Sequence, residues 1–518
     1  MIVMKNSLVI SALSNWTSIV VNVLTSFILT PFIIAQLGNA GYGIWVLVLS
    51  IVGYYGLLDL GLHSATIRYV ARHLGGDDKE SLNRTIQTSV SLFFSIGMLI
   101  VLASFLIGDF LAGFFQIPAE QYPAFIHMVW LVGGAAGLSF PRRIFDAVLM
   151  AHERFVVLNI LETASHILRA AAIFAVLLAG WGLEGIGWAE LGVEIFNFTC
   201  KSAVMFSMRS EFRFLAFRIH GSTAWALMSF GILNFITILG DTLRFNIDSA
   251  IIGRFLSMEA VGIYGVAFIL IRLLVRISNA CTVVTFPRLS QLAARDIEEF
   301  RGNYLTYARM SAILIWGLAL ELILLSPGFI RLWVGDAFHE AASVTFILTA
   351  ALATDYGTTV SINALKALNR LHFYAAQTVA EGVLKLILSL YLVRDFGLIG
   401  VAMGTAIPLM LNKIVIQPLY TSRIIGVDFR SYFREVILLP PAIAATVGAA
   451  MYYAGIVTSP SYFFLSLSGF AVAVVYAAAV VLFYLRRDER VQLRSAARKF
   501  ACYFVPGKKP EMGKEEVL

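Results

Sequence analysis

The sequence predicts an all-α polytopic membrane protein of about fourteen transmembrane helices. Two parallel six-helix repeats are expected, forming N- and C-lobes, with two extra helices after them. Three observations carry this expectation: composition, a succession of apolar segments, and an internal repeat. Of 518 residues, 59% are Ala, Val, Ile, Leu, Met, Phe, Trp, Tyr or Cys, and a further 40 are glycine. Ordinary soluble domains are about 45–50% apolar with glycine included. Charged residues make up 14%, where about 25% is usual, and the mean hydropathy is +0.81. So few polar groups cannot cover a water-soluble globule of this size. Composition thus excludes a soluble enzyme, a nucleic-acid binder and a disordered chain.

A spanning helix needs about 20 predominantly apolar residues. Fourteen segments meet this description: 8–36, 42–72, 82–108, 122–149, 155–180, 184–208, 222–252, 259–290, 302–326, 339–367, 373–393, 397–423, 435–455 and 461–485. The first is too long for a signal-peptide core and lacks a small-x-small cleavage site, so it reads as a retained helix. Loops after even-numbered segments hold Arg72, Lys79, Arg84, Arg154, Arg209, Arg213, Arg218, Arg295, Arg301, Arg370, Arg423, Arg430 and Arg434. Loops after odd-numbered segments hold only Arg254, Arg331 and Arg394. This asymmetry places both termini in the cytoplasm and accounts for the net charge of +7. The tail beyond Leu485 is basic and reads as a solvated cytoplasmic extension. Cys200, Cys281 and Cys502 are odd in number and without paired spacing, so no disulfide framework or zinc site is expected.

The repeat shows in three places. Residues 33–45 (IIAQLGNAGYGIW) answer 251–264 (IIGRFLSMEAVGIY), with Gly43-Ile44-Trp45 against Gly262-Ile263-Tyr264. Residues 182–189 (GLEGIGWA) answer 397–404 (GLIGVAMG), and the corner at Arg154-Phe155 answers that at Arg370–Phe373. An even number of spans per copy gives both copies the same orientation, with a cavity between lobes that can rock. The predicted division is 1–210 for the N-lobe, 211–425 for the C-lobe, 426–486 for the last two helices and 487–518 for the tail.

These stretches resemble the multidrug/oligosaccharidyl-lipid/polysaccharide flippase superfamily, and within it the polysaccharide-transporter branch. The resemblance is carried by PFIIAQLGNAGYGIWVLVLSI (31–51), GLLDLGLHSATIRYVAR (56–72), FNIDSAIIGRFLSMEAVGIYGVAF (245–268) and INALKALNRLHFY (362–374). It covers essentially the whole chain, but its motifs are loose and point to the branch better than to the substrate. It implies a flippase moving an undecaprenyl-pyrophosphate-linked oligosaccharide from the cytoplasmic to the periplasmic leaflet of a bacterial inner membrane. The product would serve O-antigen or exopolysaccharide synthesis, beside a polymerase and chain-length machinery. No Walker-type, HExxH or GxSxG motif is present, so neither an enzyme nor a cofactor is expected.

Charges within spans cost about 2.5–3.5 kcal/mol each at a helix centre on insertion scales, so they face a bundle interior or a wet cavity. Asp59, His63 and Arg68 share one face of the second segment, with Asp59 divided evenly between a structural pair and a coupling role. The fifth segment carries Glu162, His166 and Arg169. The eleventh carries Glu381 and Lys385, which brings Lys385 within about one turn of the position equivalent to Arg169. Pairing within each helix is the alternative. Asp241, Arg244 and Asp248 lie in the seventh segment. Arg272 and Arg276 lie in the eighth with no acid beside them, and arginine's planar fork suits phosphate oxygens. Asp241 or Asp248 could pair with Arg272 instead. The expected cationic cavity is therefore Arg169, Arg244, Arg272, Arg276 and Lys385. The candidates for coupling or gating are Asp59, Glu162, Asp241 and Glu381. A cation-coupled drug exporter and a peptidoglycan-precursor flippase remain open as alternatives, and a monomer is the default.

Overall fold

The computed structural model describes residues 2–76, 78–208, 217–370, 372–456, 461–487 and 489–491. Within these, the side chains of 2–9, 12, 233–234, 236–238, 241, 243–245, 372 and 375 are not described. The described residues are helical almost throughout and contain no β-strand. In order the helices are α1 (Ile2–Tyr55), α2 (Leu62–Gly75), α3 (Lys79–Phe114), α4 (Tyr122–Ala151), α5 (Phe155–Leu178), α6 (Gly182–Ser207), α7 (Gly221–Phe245), α8 (Ile247–Phe255) and α9 (Met258–Thr282). Then come α10 (Thr285–Arg295), α11 (Ile297–Val334), α12 (Glu340–Gly357), α13 (Thr359–Ala367), α14 (His372–Leu411) and α15 (Gln417–Ile425). The last two are α16 (Phe429–Tyr453) and α17 (Tyr462–Tyr484). Each apolar segment of the sequence falls on a helix or on two consecutive ones. Among the described residues, nine helical stretches are long and apolar enough to cross a membrane. Hydrocarbon offers the backbone no hydrogen-bond partner, and a helix satisfies its own.

The breaks fall where the backbone leaves helical space. Gly38 (φ 71, ψ 175) divides α1 into two helices, and Gly397 (φ 55) divides α14. Positions paired in the sequence repeat share unusual backbone. Gly182 and Gly397 have φ of 57 and 55, and Glu153 and Asn369, before the paired Arg154 and Arg370 corners, have φ of 58 and 55. Where α3 begins outside the apolar region, Asp78 accepts the Ser81 N–H at 3.0 Å. That bond holds its carboxyl below the usual aspartate value. Asp428 does the same for Ser431 at the start of α16.

The chain forms two compact units. The first is Met1–Ile277, Trp333–Leu352 and Asn369–Val415; the second is Ser278–Leu332, Ala353–Leu368 and Ile416–Leu518. This division by compactness cuts across the repeat boundaries read in the sequence. In the first unit, α4 packs against α3, α6 and α2, and the N-terminal part of α1 lies on α5. Ile86, Phe93, Ile100, Phe140, Ile144 and Val148 fill the α2–α3–α4 core. There Gly97 and Gly137 bring α3 and α4 together: a Cβ on Gly97 would stand 2.4 Å from the Gly137 carbonyl oxygen. Small residues at such crossings are how membrane helices gain contact without a hydrophobic driving force. In the second unit, α11 packs on α16 and α17 through Ile313, Leu320, Val447, Val472 and Tyr476.

Candidate functional site

The first unit carries a cavity of about 540 Å³. Its walls come from both parts of α1, from α4, α5 and α6, from α8 and from α9. The α1 wall is polar where it matters for an uncharged ligand. Asn22, Ser26 and Thr30 repeat at four-residue spacing, which puts them on one face. The Ser26 and Thr30 hydroxyls donate to the carbonyls of Asn22 and Ser26 at 2.8 Å each, so their remaining capacity is to accept. Beyond the Gly38 break, Tyr42 and Trp45 add aromatic surface.

The α9 wall is cationic. On α9, Tyr264, Phe268, Arg272 and Arg276 follow at four-residue intervals and all line the cavity. The Arg272 guanidinium lies 4.8 Å from the centre of the Phe268 ring. Neither Arg272 nor Arg276 has a carboxylate partner among the described residues, and both side chains are exposed to the cavity. The third arginine of the lining, Arg169 on α5, is held by Glu190 of α6 at 3.0 Å. Glu194, the other lining acid, is bonded by Arg142 at 2.5 Å. Both acids are thus committed, and the charge left over in the cavity is that of Arg272 and Arg276.

Glu194 belongs to a wider charge network on α4, α5 and α6. Arg142 bridges Glu194 and Asp146, the latter at 2.6 Å. Lys201, fully buried, bonds Asp146 at 2.8 Å and Glu162 at 2.5 Å. Arg142, Glu190, Glu194 and Lys201 were not among the residues expected from the sequence. Their signal was present: Glu190, Glu194, Asn197 and Lys201 lie at i, i+4, i+7 and i+11, one face of α6.

The expected site residues separate. Arg169, Arg272 and Arg276 come together around the cavity. The side chains of Asp241 and Arg244 lie outside the described residues. Lys385 is not in the lining. It is 2% exposed and bonds Asp248 at 3.0 Å. Asp248 is therefore engaged with Lys385 and is not the partner of Arg272. Glu381 accepts from Asn412 at 2.6 Å. Glu162 pairs with Lys201 of another helix, so pairing within α5 is overturned. Asp59, His63 and Arg68 do not share a continuous helical face. The chain turns through Leu60 (φ 48) and Gly61 (φ 75), and Asp59 bonds Arg143 of α4 at 2.7 Å. His166 meets Asn22 of α1 at 3.1 Å.

A family model described as polysaccharide biosynthesis protein matches residues 33–343, more than half of the chain and all of the cavity's α9 wall. The chain belongs to the polysaccharide biosynthesis protein family. It is 24% identical over 400 residues to the "Putative O-antigen transporter" of Shigella flexneri, covering 75% of this chain and 92% of that one. It is 26% identical over 503 residues to the membrane protein EpsK of Bacillus subtilis, covering 94% and 97%. In fold it is similar to the lipid II flippase MurJ in an inward closed conformation. The TM-score is 0.72 and the identity 14%, covering 92% of this chain and all of that one. The family is thus that of a multi-pass membrane transporter of polysaccharide biosynthesis and not of an enzyme.

Proposed function

We propose that the protein is a flippase for a lipid-linked oligosaccharide. The substrate is an undecaprenyl-pyrophosphate repeat unit, and it passes from the cytoplasmic to the periplasmic leaflet of a bacterial inner membrane. One observation supports this above the others: Arg272 and Arg276 face the cavity with no carboxylate among the described residues to neutralise them. A pyrophosphate cannot cross hydrocarbon unaided, and two arginine forks replace the water it would lose. The hydroxyl and amide groups of Asn22, Ser26 and Thr30, with Tyr42 and Trp45, suit sugar hydroxyls and faces. The polyprenyl tail stays in lipid throughout.

In this reading the chain crosses the membrane fourteen times with both termini cytoplasmic, as loop charge suggests. The lobes at 1–210 and 211–425 rock about the cavity, helices 426–486 stand beside them, and 487–518 is a cytoplasmic tail. The working unit is one chain, which hands its product to a polymerase and chain-length machinery. Arg169 serves as a third phosphate contact when it leaves Glu190, and Lys385 supports the site from behind. Arg244 is a further candidate contact. Asp59, Glu162, Asp241 and Glu381 remain the candidate groups through which an ion gradient or the membrane potential biases the cycle.

The test is a deletion strain in which lipid-linked saccharide is measured on each leaflet. Accumulation on the cytoplasmic face is expected. Wild type corrects it, while well-expressed Arg272→Ala and Arg276→Ala do not. A normal leaflet distribution with altered drug sensitivity rejects the proposal in favour of a drug exporter.

A further inference from the structure

Arg272 and Arg276 stand one helical turn apart, so their charges repel each other. A carboxylate would hold Arg272 in place, but it would also cancel the charge that an anionic ligand needs. The structure uses a different support. The guanidinium rests on the Phe268 ring, 4.8 Å from its centre. The Phe268 ring is stacked on Tyr264, with centroids 6.4 Å apart and planes 16° from parallel. Tyr264 is buried, and its hydroxyl donates to Asp248 of α8 at 2.5 Å. Asp248 is in turn held by Lys385 at 3.0 Å and by the Thr405 hydroxyl at 3.4 Å, both on α14.

We propose that Asp248, Tyr264 and Phe268 form a positioning relay that aims Arg272 into the cavity without neutralising it. The ligand class is the phosphate or pyrophosphate head group of a polyprenyl lipid. The inference rests on the cationic-cavity reading above and adds the residues that make the cation effective. Each link has its own physical basis. The ion pair fixes the carboxylate, the carboxylate fixes the phenol, and the phenol ring fixes the platform. The platform's negative face then attracts the guanidinium while leaving its N–H groups free to bond outward. An arginine ordered before the ligand arrives loses less side-chain entropy on binding. Three helices, α8, α9 and α14, contribute to the relay, so the direction of one arginine depends on how they are packed.

The full chain in lipid nanodiscs is titrated with a short-chain polyprenyl pyrophosphate carrying no sugar. Arg272→Ala is expected to weaken binding. Phe268→Leu is expected to weaken it about tenfold, within the range of a desolvated cation–π contact. In the Arg272→Ala background, the same Phe268→Leu change should cost less than about twofold, because a relay acts only through its end point. Phe268→Tyr, which keeps the ring face, should restore binding to within about twofold of wild type. Tyr264→Phe keeps the stack and loses the bond to Asp248, so its loss should lie between the two. Thermal unfolding of every variant identifies any that has merely lost its fold. The relay is overturned if Phe268→Leu costs the same in both backgrounds, since that marks a general packing role. It is equally overturned if Phe268→Leu has no effect while Arg272→Ala does. Should Arg272→Ala itself leave binding unchanged, the cationic-cavity reading falls and the relay with it.

Discussion

Gly43 and Gly262 meet backbone to backbone. A Cβ on Gly43 would lie 1.7 Å from the Met258 carbonyl oxygen and 3.2 Å from the Gly262 amide nitrogen. One on Gly262 would lie 3.4 Å from the Gly43 nitrogen. These two glycines are equivalent positions of the sequence repeat. The contact is also unequal. Gly43→Ala would put a methyl into backbone, whereas at Gly262 the nearest atom, the Asn39 carbonyl oxygen, is 3.1 Å away. Gly43→Ala should therefore destabilise by the ~1–3 kcal/mol typical of overpacking, and Gly262→Ala by less. Thermal unfolding in detergent measures both, and equal effects would contradict the crossing geometry.

The same crossing offers a reversible lock. A Cβ on Gly265 would stand 3.4 Å from the Val46 Cβ, close to the span of about 3.5–4.5 Å seen in disulfides. Val46→Cys with Gly265→Cys should cross-link under mild oxidant, and each single variant should not. If the proposed lobes part here during the cycle, oxidation stops transport and reductant restores it. Transport that continues in fully cross-linked protein would show that these helices stay together throughout.

Lys385 and Asp248 are 2% and 1% exposed and bonded at 3.0 Å. Removing one partner of such a pair typically costs about 3–5 kcal/mol, because the survivor is left buried without its counter-charge. Lys385→Met should lower the unfolding temperature sharply. Lys385→Met with Asp248→Asn should recover much of the loss, since the Asp248 carboxylate is then neutral as well. A direct role for Lys385 in ligand binding predicts the opposite pattern: wild-type stability in the single variant, with binding lost.

What could be read in advance follows from the range of the forces involved. Helices were legible because the membrane imposes them on every apolar segment, and the shared positive φ at Glu153 and Asn369 lies at a corner the repeat had already paired. The α9 stripe was legible because Arg272 and Arg276 fall on one helical face. Ion-pair partners were not. Lys385 sits 137 residues from Asp248, and spacing along one helix says nothing about which helix faces it. The Asp59–His63–Arg68 face failed for a local reason, the turn at Leu60 and Gly61, which the apolar run conceals. Glu190, Glu194 and Lys201 were visible as a face of α6 and needed only to be read together.

The charge network on α4, α5 and α6 makes the last prediction sharp, because its charges are unequal in number and in burial. Asp146, Glu162 and Glu194 face only Arg142 and Lys201 within it. Lys201→Met leaves three carboxylates around one guanidinium. The cost should approach the ~3–5 kcal/mol of a broken buried pair. The second-site change that rescues it depends on solvent. The Glu162 side chain is 42% exposed, whereas that of Asp146 is 13% exposed. Water already screens Glu162, so neutralising it gains little. Neutralising Asp146 removes a buried acid that has lost one of its two cations and leaves Arg142 paired with Glu194. Lys201→Met/Asp146→Asn should therefore unfold at a higher temperature than Lys201→Met/Glu162→Gln. The reverse order would mean that Glu162, and not Asp146, is the partner that Lys201 stabilises.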